Sequence, residues 1–490
     1  MQPDEEKTPR HLTEGKTSWQ GGIYPKEDVE GTDMFRPFFR RKRTWLVIAG
    51  LALLVLLVFG YRPDAPADLG LDSAKVGIGL GIFACIAFLW LTEALPLAAT
   101  ALLVPLLAAT TGLMDLKSAL AGFAHPLIFL FFGGFALASA MAYQGLDLWI
   151  ARTVVRLGKG SFLRVSLLLF IATAFLSMWM SNTATTAMMM PLVLGILGRA
   201  GAGKGRSAEF LLLGVAYAAS VGGIGTLVGS PPNAIAAQKL GIGFAAWMRF
   251  GIPAVLVLLP LMGIVLWLVC RPELKRIASI DGEPFVFNWH RRMTLAIFAT
   301  TALCWIFGAK LGAWLGIGDA IDTVVALFAV LALLYFRVLR WRDVDRGTDW
   351  GVLLLFGGGI TLSNVLGTSG TSMFLAHRFV SLVGDWPAFL VVAAVIAFVI
   401  FLTELSSNTA TAALMVPIFA SVAVELDMMP AKLVVPLALA ASCAFMLPVA
   451  TPPNAIVFGT GMVPQRRMMR VGLVLNLSFI AVLTLLAMML

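Results

Sequence analysis

Two short polar motifs each occur twice in this sequence, and both lie within strongly apolar segments. SMWMSNTATTAMMMP at 177–191 matches TELSSNTATAALMVP at 403–417, and GSPPNAI at 229–235 matches ATPPNAI at 450–456. Polar groups at membrane depth are costly unless they have a partner or a role. A single copy of either motif is typical of a helix cap or a turn. Their recurrence in the same order instead favours a binding site built from two halves.

The first motif carries groups that suit an anion. A new helix is expected to begin at each Ser-Asn-Thr triplet, and its first backbone N–H groups have no intrahelical partner. The helix dipole adds partial positive charge there, and Ser, Asn and Thr are favoured caps whose side chains also donate hydrogen bonds. Two such helix ends facing each other would bind an anion without a buried Lys or Arg. The candidate anion contacts are Ser181, Asn182, Thr183, Ser407, Asn408 and Thr409.

The other side of each break offers oxygen atoms, which suit a cation. The first hairpin arm ends near Ser177, and the glycine-rich run 222–229 leads into Pro231 and Pro232, which prevent a helix from continuing. Carbonyl and hydroxyl oxygens without a carboxylate suit Na⁺ better than Ca²⁺, which prefers carboxylates. The candidate oxygen donors are Ser177, Ser181 and Ser230 in the first half, and Thr403, Ser407, Asn408, Ala450 and Thr451 in the second. The sequence thus predicts one anion bridged between two cation sites.

The elements that must position these motifs are those of a membrane protein. Hydrophobic residues make up 59% of the 490 residues and charged residues only 13%, against roughly 25% in soluble proteins. Apolar runs recur along most of the chain, for example at 76–91, 251–270 and 470–490. Runs of this length can span a bilayer, so the sequence predicts an all-α polytopic membrane protein with about 11 transmembrane helices.

The net charge of +9 follows the pattern of membrane topology. Arg and Lys cluster before the first span and in alternate connections, whereas short loops such as 62–75 and 309–320 hold few basic residues. This positive-inside pattern predicts a cytoplasmic N-terminus and an external C-terminus in the plasma (inner) membrane, and it argues against nucleic-acid binding. The sequence contains no His/Ser/Asp constellation, HExxH motif or P-loop, so an enzyme is disfavoured.

The motifs and charges together predict two repeats of opposite orientation. Both ends of the first broken segment are basic, so it must enter the membrane and return, which predicts a re-entrant hairpin with its tip at the triplet. When the predicted spans are counted from a cytoplasmic N-terminus, the first hairpin enters the membrane from the cytoplasm and the second from outside. The predicted segments are a polar cytoplasmic tail 1–43, a first repeat 44–270 with hairpin 161–198 and broken helix 208–240, a cytoplasmic connector 271–292, and a second repeat 293–490 with hairpin 386–425 and broken helix 432–462. Inverted repeats with broken helices are the architecture of secondary transporters, in which substrate binds where the breaks meet.

Three ionisable residues in or beside apolar segments require an interpretation. Glu93, at a span end, suits a cap or an interfacial anchor better than a proton relay, and His125 before Pro126 suits a packed, hydrogen-bonded role. Glu404 lies beside the second triplet and could either tune the cation site or pair with a neighbour.

With these motifs the sequence resembles the divalent-anion/sodium symporter family, which carries di- and tricarboxylates and, in some members, sulfate. The resemblance covers residues 44–490 and rests on the paired triplets, the paired Pro-Pro-Asn breaks, LTEALPL and GVLLLFGGG. It implies a homodimer with a scaffold domain and a transport domain that moves as an elevator. Substrate would bind between the hairpin tips, with Na⁺ at each tip, giving at least two Na⁺ sites.

Carried over residue by residue, the resemblance implies two kinds of contact. The carboxylates would be contacted by Asn182, Thr183, Asn408, Thr409, Pro231 and Pro452. One Na⁺ site would consist of Ser177, Ser181, Asn182 and Gly229, and the other of Thr403, Ser406, Asn408 and Ala450. Ser230 and Thr451, the hydroxyl residues before the two Pro-Pro-Asn runs, complete the candidate substrate set.

The function expected from the sequence is Na⁺-coupled symport of a C4-dicarboxylate such as succinate, malate or fumarate. Hydroxyls at Ser177 and Thr403 favour Na⁺ coupling, because a Na⁺-free exchanger could replace them with basic side chains. A carboxylate exchanger and a Na⁺-coupled sulfate or citrate carrier remain alternatives, since the predicted anion donors are neutral. An ion channel is disfavoured because two closed hairpins argue against a continuous pore.

Overall fold

Helices form all the regular secondary structure in residues 36–64, 69–199, 205–273 and 285–489, which the computed structural model describes. Most of the predicted N-terminal tail and residues 274–284 of the predicted connector lie outside this part of the chain. The helices are α1 (Arg36–Gly60), α2 (Ser73–Thr92), α3 (Leu97–Thr110), α4 (Leu116–Ala121), α5 (Pro126–Tyr143), α6 (Leu146–Arg156), α7 (Phe162–Ser177), α8 (Asn182–Arg199), α9 (Arg206–Gly223), α10 (Pro231–Leu240), α11 (Phe244–Cys270), α12 (Trp289–Ile306), α13 (Gly308–Leu315), α14 (Ile321–Tyr335), α15 (Trp341–Gly347), α16 (Trp350–Thr368), α17 (Thr371–Val383), α18 (Ala388–Thr403), α19 (Asn408–Glu425), α20 (Ala431–Ala441), α21 (Pro452–Gly459) and α22 (Gln465–Met488).

Several of these helices are suited to crossing a membrane. By length and composition, seven helices of the described residues could span it, or up to nine if each of two bent helix pairs counts as one span. The predicted number of about 11 is larger because α3 and α14 are shorter apolar helices, and because each broken helix was counted as a full span. The predicted fold class, an all-α polytopic membrane protein, is confirmed.

The first triplet lies at the turn of a helical hairpin. Helices α7 and α8 both pack against α9, and α8 also contacts α6, which precedes α7. The chain therefore reverses direction between Ser177 and Asn182. The hydroxyl of Ser181 accepts a hydrogen bond from the Ala184 N–H at 3.2 Å, so it caps the returning arm.

The second triplet lies at an equivalent turn. Helices α18 and α19 both pack against α20, and the Phe379 and Phe419 rings meet edge to face at 5.4 Å. This contact brings the far end of α19 back to α17, which immediately precedes α18. The second triplet thus lies at the tip of a hairpin as well, with Ser407 as the N-cap residue of α19.

The two Pro-Pro-Asn runs begin the second halves of two broken helices. Helix α10 begins at Pro231 and α21 at Pro452, where a proline costs no hydrogen bond because the first helical N–H has no partner. Helix α10 packs against α20, and α21 packs against α9. The first half of each broken helix therefore lies beside the second half of the other.

Helix α17 is an element that the sequence reading missed. It occupies the place in the second repeat that α6 occupies in the first, between a long apolar helix and a hairpin. Its polar residues His377 and Arg378 interrupt the apolar pattern. The segment is therefore assigned to a connection between predicted helices. The position of α6 relative to the first triplet could have predicted it.

We expect α4 and the turn after α6 to lie on opposite sides of the membrane. Lys117 and Lys159 are both exposed, whereas the four native cysteines are buried or half-buried. A membrane-impermeant maleimide added to intact cells should therefore label Lys117→Cys, and should label Lys159→Cys only after the membrane is opened. Labelling of both variants from the same side would contradict the topology predicted from the basic clusters.

Candidate functional site

Acceptor oxygens converge at the tip of the first hairpin. The buried Ser177 hydroxyl lies 2.7 Å from Asn182 Oδ1 and 2.7 Å from the Ala219 carbonyl oxygen. A hydroxyl has one proton and can donate to only one of these acceptors at a time. Three oxygens therefore lie close together with a single proton among them, an arrangement that a small cation would stabilise.

The tip of the second hairpin repeats this arrangement. The buried Thr403 hydroxyl lies 2.7 Å from Asn408 Oδ1 and 3.0 Å from the Ala441 carbonyl oxygen. A hydroxyl, a carboxamide oxygen and a helix C-terminal carbonyl thus recur at equivalent places in both repeats. The structure thus brings together Ser177 with Asn182, and Thr403 with Asn408, which the sequence assigned to the same candidate Na⁺ sites.

Two glycines leave room for the first oxygen cluster. A methyl group added at Gly223 would lie 2.4 Å from Asn182 Oδ1 and 2.8 Å from the Gly229 carbonyl oxygen. One added at Gly229 would lie 2.6 Å from the Gly223 carbonyl oxygen and 2.9 Å from that of Ser177. Side-chain and backbone oxygens therefore surround the space that a side chain would fill. This donor set suits Na⁺, and the residues predicted for the first Na⁺ site all border it except Ser181, whose hydroxyl caps α8.

The asparagines of the two Pro-Pro-Asn runs hold the breaks in shape. Asn233 Nδ2 donates to the carbonyls of Gly223 and Thr226 at 2.8 and 2.7 Å, and Asn454 Nδ2 donates to those of Ala444 and Leu447, each at 3.0 Å. These bonds satisfy carbonyls freed where the preceding helix ends. Both asparagines belong to the recurring motif, but the motif alone does not predict this role. The recurrence of Asn233 and Asn454 at the same distance from the break in both repeats could have predicted this role.

Direct contacts join the two breaks. The buried Ser230 and Ser442 hydroxyls lie 3.0 Å apart, and the Tyr217 hydroxyl donates to the Phe445 carbonyl at 2.7 Å. Each contact links the first repeat to the second. Ser230, a predicted substrate contact, is therefore engaged between the two breaks, and the counterpart Thr451 is buried and caps α21.

Helix α10 packs against α19, and α21 packs against α8, so the return arm of each hairpin contacts the second half of the other repeat's broken helix. The N-terminus of each of these four helices carries backbone N–H groups and a positive dipole. The predicted substrate contacts differ in exposure: Ser181 and Pro452 are exposed, Asn182, Thr183, Ser407, Asn408 and Pro231 are half-buried, and Thr409, Ser230 and Thr451 are buried.

Ser406 differs from the other predicted Na⁺ ligands. Its hydroxyl lies 2.7 Å from that of Thr411 and 3.1 Å from the Leu402 carbonyl oxygen, so it is engaged within the second hairpin. Its backbone carbonyl and the remaining lone pair of its hydroxyl could still act as ligands. Ala450 lies in the break itself, before Thr451, where it can offer only a carbonyl.

Glu93 and His125 both lie at helix ends. Glu93 is exposed and forms the C-cap of α2 with a left-handed backbone. His125 is the N-cap of α5 and accepts a hydrogen bond from the Leu127 N–H at 3.3 Å. The position of Glu93 agrees with the cap, and that of His125 with the hydrogen-bonded role, that the sequence favours.

Paired hairpin tips beside paired broken helices define this fold and site as those of a polytopic membrane transporter. The family description "Sodium:sulfate symporter transmembrane region" matches residues 41–490. The chain therefore belongs to the divalent-anion/sodium symporter family, as its motifs predicted.

Individual relatives agree with this assignment. The chain is 49% identical over 416 residues to an "Uncharacterized transporter" of Haemophilus influenzae, covering 83% of this chain and 90% of that protein. It is 35% identical over 474 residues to the "Sodium-dependent dicarboxylate transporter SdcS" of Staphylococcus saprophyticus, covering 90% and 89%. In fold it is similar to the crystal structure of the Alcanivorax borkumensis YdaH transporter, with a TM-score of 0.56 and 15% identity over 92% of this chain and 98% of that one.

Proposed function

We propose that this protein couples the inward movement of Na⁺ to the uptake of a C4-dicarboxylate of the succinate, malate and fumarate class. The dianion would lie between the two hairpin tips, and a Na⁺ ion would lie behind each tip. The observation that carries the proposal is the duplicated oxygen cluster, in which Ser177 and Thr403 each approach a carboxamide oxygen and a helix C-terminal carbonyl.

The positions of Asn182 and Asn408 support coupling between Na⁺ binding and dicarboxylate binding. Each is the first residue of a hairpin return arm, and each turns its Oδ1 toward the oxygen cluster. Its amide nitrogen then remains a donor for an anion at the helix N-terminus. Cation binding on one side of the carboxamide would fix its orientation for the anion on the other side, so each ligand would raise the affinity for the other.

The character of the anion site supports a dianion that must also be released. Four helix N-termini supply partial positive charge and N–H donors without placing a full cationic charge at the tips. Neutral donors bind a divalent anion less tightly than buried Lys or Arg side chains would. The dicarboxylate is favoured over sulfate because the relative from Staphylococcus saprophyticus is named a sodium-dependent dicarboxylate transporter. Sulfate, citrate and Na⁺-independent exchange are the alternatives.

The packing of the site helices supports an elevator mechanism, which we propose together with the homodimer that the family resemblance implies. Each hairpin contacts the broken helix of the other repeat, through α21 against α8 and α10 against α19, so the site helices interlock across the repeats. The site could then move as one body relative to the remaining helices, with α6 and α17 as the connecting arms. Substrate and both Na⁺ ions would cross together within it.

Uptake into proteoliposomes tests this proposal. We expect an inward Na⁺ gradient to accelerate uptake of labelled succinate at least about tenfold over equal Na⁺ on both sides, because two bound Na⁺ ions supply the driving force. Excess unlabelled malate and fumarate should compete, and citrate and sulfate should compete less. Equal uptake with and without Na⁺ would contradict coupling, and stronger competition by sulfate would contradict the substrate class.

A further inference from the structure

Glu404 makes an unusual set of hydrogen bonds next to the second oxygen cluster. It is 3% exposed and follows Thr403 directly in the chain. Its Oε1 accepts hydrogen bonds from the Phe445 and Met446 N–H groups at 2.7 and 2.8 Å, and its Oε2 accepts one from the Leu447 N–H at 3.0 Å. One carboxylate thus satisfies three consecutive backbone donors of the second break.

In the first repeat, the backbone N–H groups of the break find acceptors without a carboxylate. Met178 occupies the place of Glu404 there. Helix α9 continues to Gly223, and the next N–H groups, of Ile224 and Gly225, donate to helix carbonyls at 3.3 and 2.9 Å. Helix α20 ends earlier, at Ala441. The Ser442 and Cys443 N–H groups still donate to helix carbonyls, at 3.1 and 2.9 Å, but the N–H groups of residues 445–447 donate to Glu404 instead of to helix carbonyls. The Glu404 side chain replaces these acceptors and holds the second break unwound.

Asn476 of α22 supports the carboxylate from the opposite side. Its Nδ2 donates to Glu404 Oε1 at 2.8 Å, while its own Oδ1 is buried without a hydrogen-bond partner among the described residues. An unpaired buried acceptor is costly, and a hydrogen bond to a charged group outweighs much of that cost. The α22 contact therefore fixes which way Glu404 points.

We propose that Glu404 is a positioning residue that sets the second Na⁺ site apart from the first. By fixing the second break it holds the Ala441 and Ala450 carbonyls in place, and its negative charge lies beside Thr403. The first site has a methionine at this position and lacks both effects. The second site would therefore bind Na⁺ more tightly and fill first. This inference rests on the proposed Na⁺-coupled function.

Replacing Glu404 by Gln tests this inference through the Na⁺ dependence of succinate uptake. The amide keeps the shape but loses the charge and one acceptor oxygen. We expect the Na⁺ concentration for half-maximal uptake to rise about tenfold in Glu404→Gln, and the succinate KM at saturating Na⁺ to change less than about threefold. Asn476→Ala should give a smaller shift in the same direction. Glu93→Gln, which removes an exposed carboxylate at a helix end, should leave the Na⁺ dependence unchanged.

A second readout separates a positioning role from a general loss of stability. The melting temperature of each purified variant is measured with and without Na⁺. The inference predicts that Glu404→Gln loses most of the Na⁺-induced increase, and that Glu404→Asp, which keeps a carboxylate, recovers part of it. A Na⁺ response equal to that of the wild type, in both uptake and melting, would overturn the inference. If the wild type itself shows no Na⁺ response, the proposed function fails instead.

Discussion

Asn182→Ala and Asn408→Ala are each expected to reduce Na⁺-driven succinate uptake by about 100-fold or more while leaving expression intact. In the proposed site each substitution removes a Na⁺ ligand and an anion donor at once, since the carboxamide oxygens that Ser177 and Thr403 contact at 2.7 Å are lost together with the amide nitrogens. The proposal has both tips hold one anion, so loss of either tip should suffice. Uptake of labelled succinate into proteoliposomes, normalised to the amount of reconstituted protein, gives the measurement.

A matched substitution controls for the loss of any asparagine from a membrane helix. Asn364 is exposed on α16, outside the hairpins and the breaks. Asn364→Ala should therefore keep wild-type uptake. Full activity in either tip variant would contradict a site that needs both tips, whereas loss of activity in the control as well would indicate a general defect.

Gly223→Ala is expected to weaken Na⁺ binding at the proposed first site without unfolding the protein. The added methyl group would lie 2.4 Å from Asn182 Oδ1 and 2.8 Å from the Gly229 carbonyl oxygen, so at least one ligand must move. Overpacking of this kind costs about 1–3 kcal/mol, which corresponds to a loss of about tenfold to 100-fold in Na⁺ affinity. The Na⁺ dependence of the melting temperature and of uptake measures this loss.

Gly195 offers a control for the same change. A methyl group there would meet no other atom within 4 Å, and the residue lies inside α8. Gly195→Ala should raise stability by up to about 1 kcal/mol through helix propensity and leave Na⁺ affinity unchanged. A normal Na⁺ response in Gly223→Ala would show that the space beside Asn182 is not the cation site.

The sequence was sufficient to predict the fold class and the helix breaks that build the candidate site. Recurrence of the Ser-Asn-Thr and Pro-Pro-Asn motifs identified the hairpin tips and the breaks, because polar and helix-breaking residues stand out in apolar segments. The pairing of Ser177 with Asn182 could also be predicted, since both lie at the same hairpin turn. Patterns local in sequence therefore carried most of the correct predictions.

Contacts between distant parts of the chain could not be predicted in this way. The bonds of Tyr217 to Phe445 and of Ser230 to Ser442 depend on how the two repeats pack. The sequence left two roles for Glu404. Its bonds to 445–447 and to Asn476 show that it pairs with neighbours, and these bonds are the route by which we propose that it acts on the second Na⁺ site. The engagement of the Ser406 hydroxyl likewise depends on Thr411, one turn further along α19.

The central claim is that one dicarboxylate and the Na⁺ ions share the two asparagine tips, and reciprocal linkage tests it most directly. The Kd of the purified protein for succinate is measured calorimetrically in saturating Na⁺ and with Na⁺ replaced by K⁺. Shared tips predict binding at least about tenfold tighter in Na⁺, with succinate raising Na⁺ affinity by the same factor. The same Kd in both salts would contradict the account.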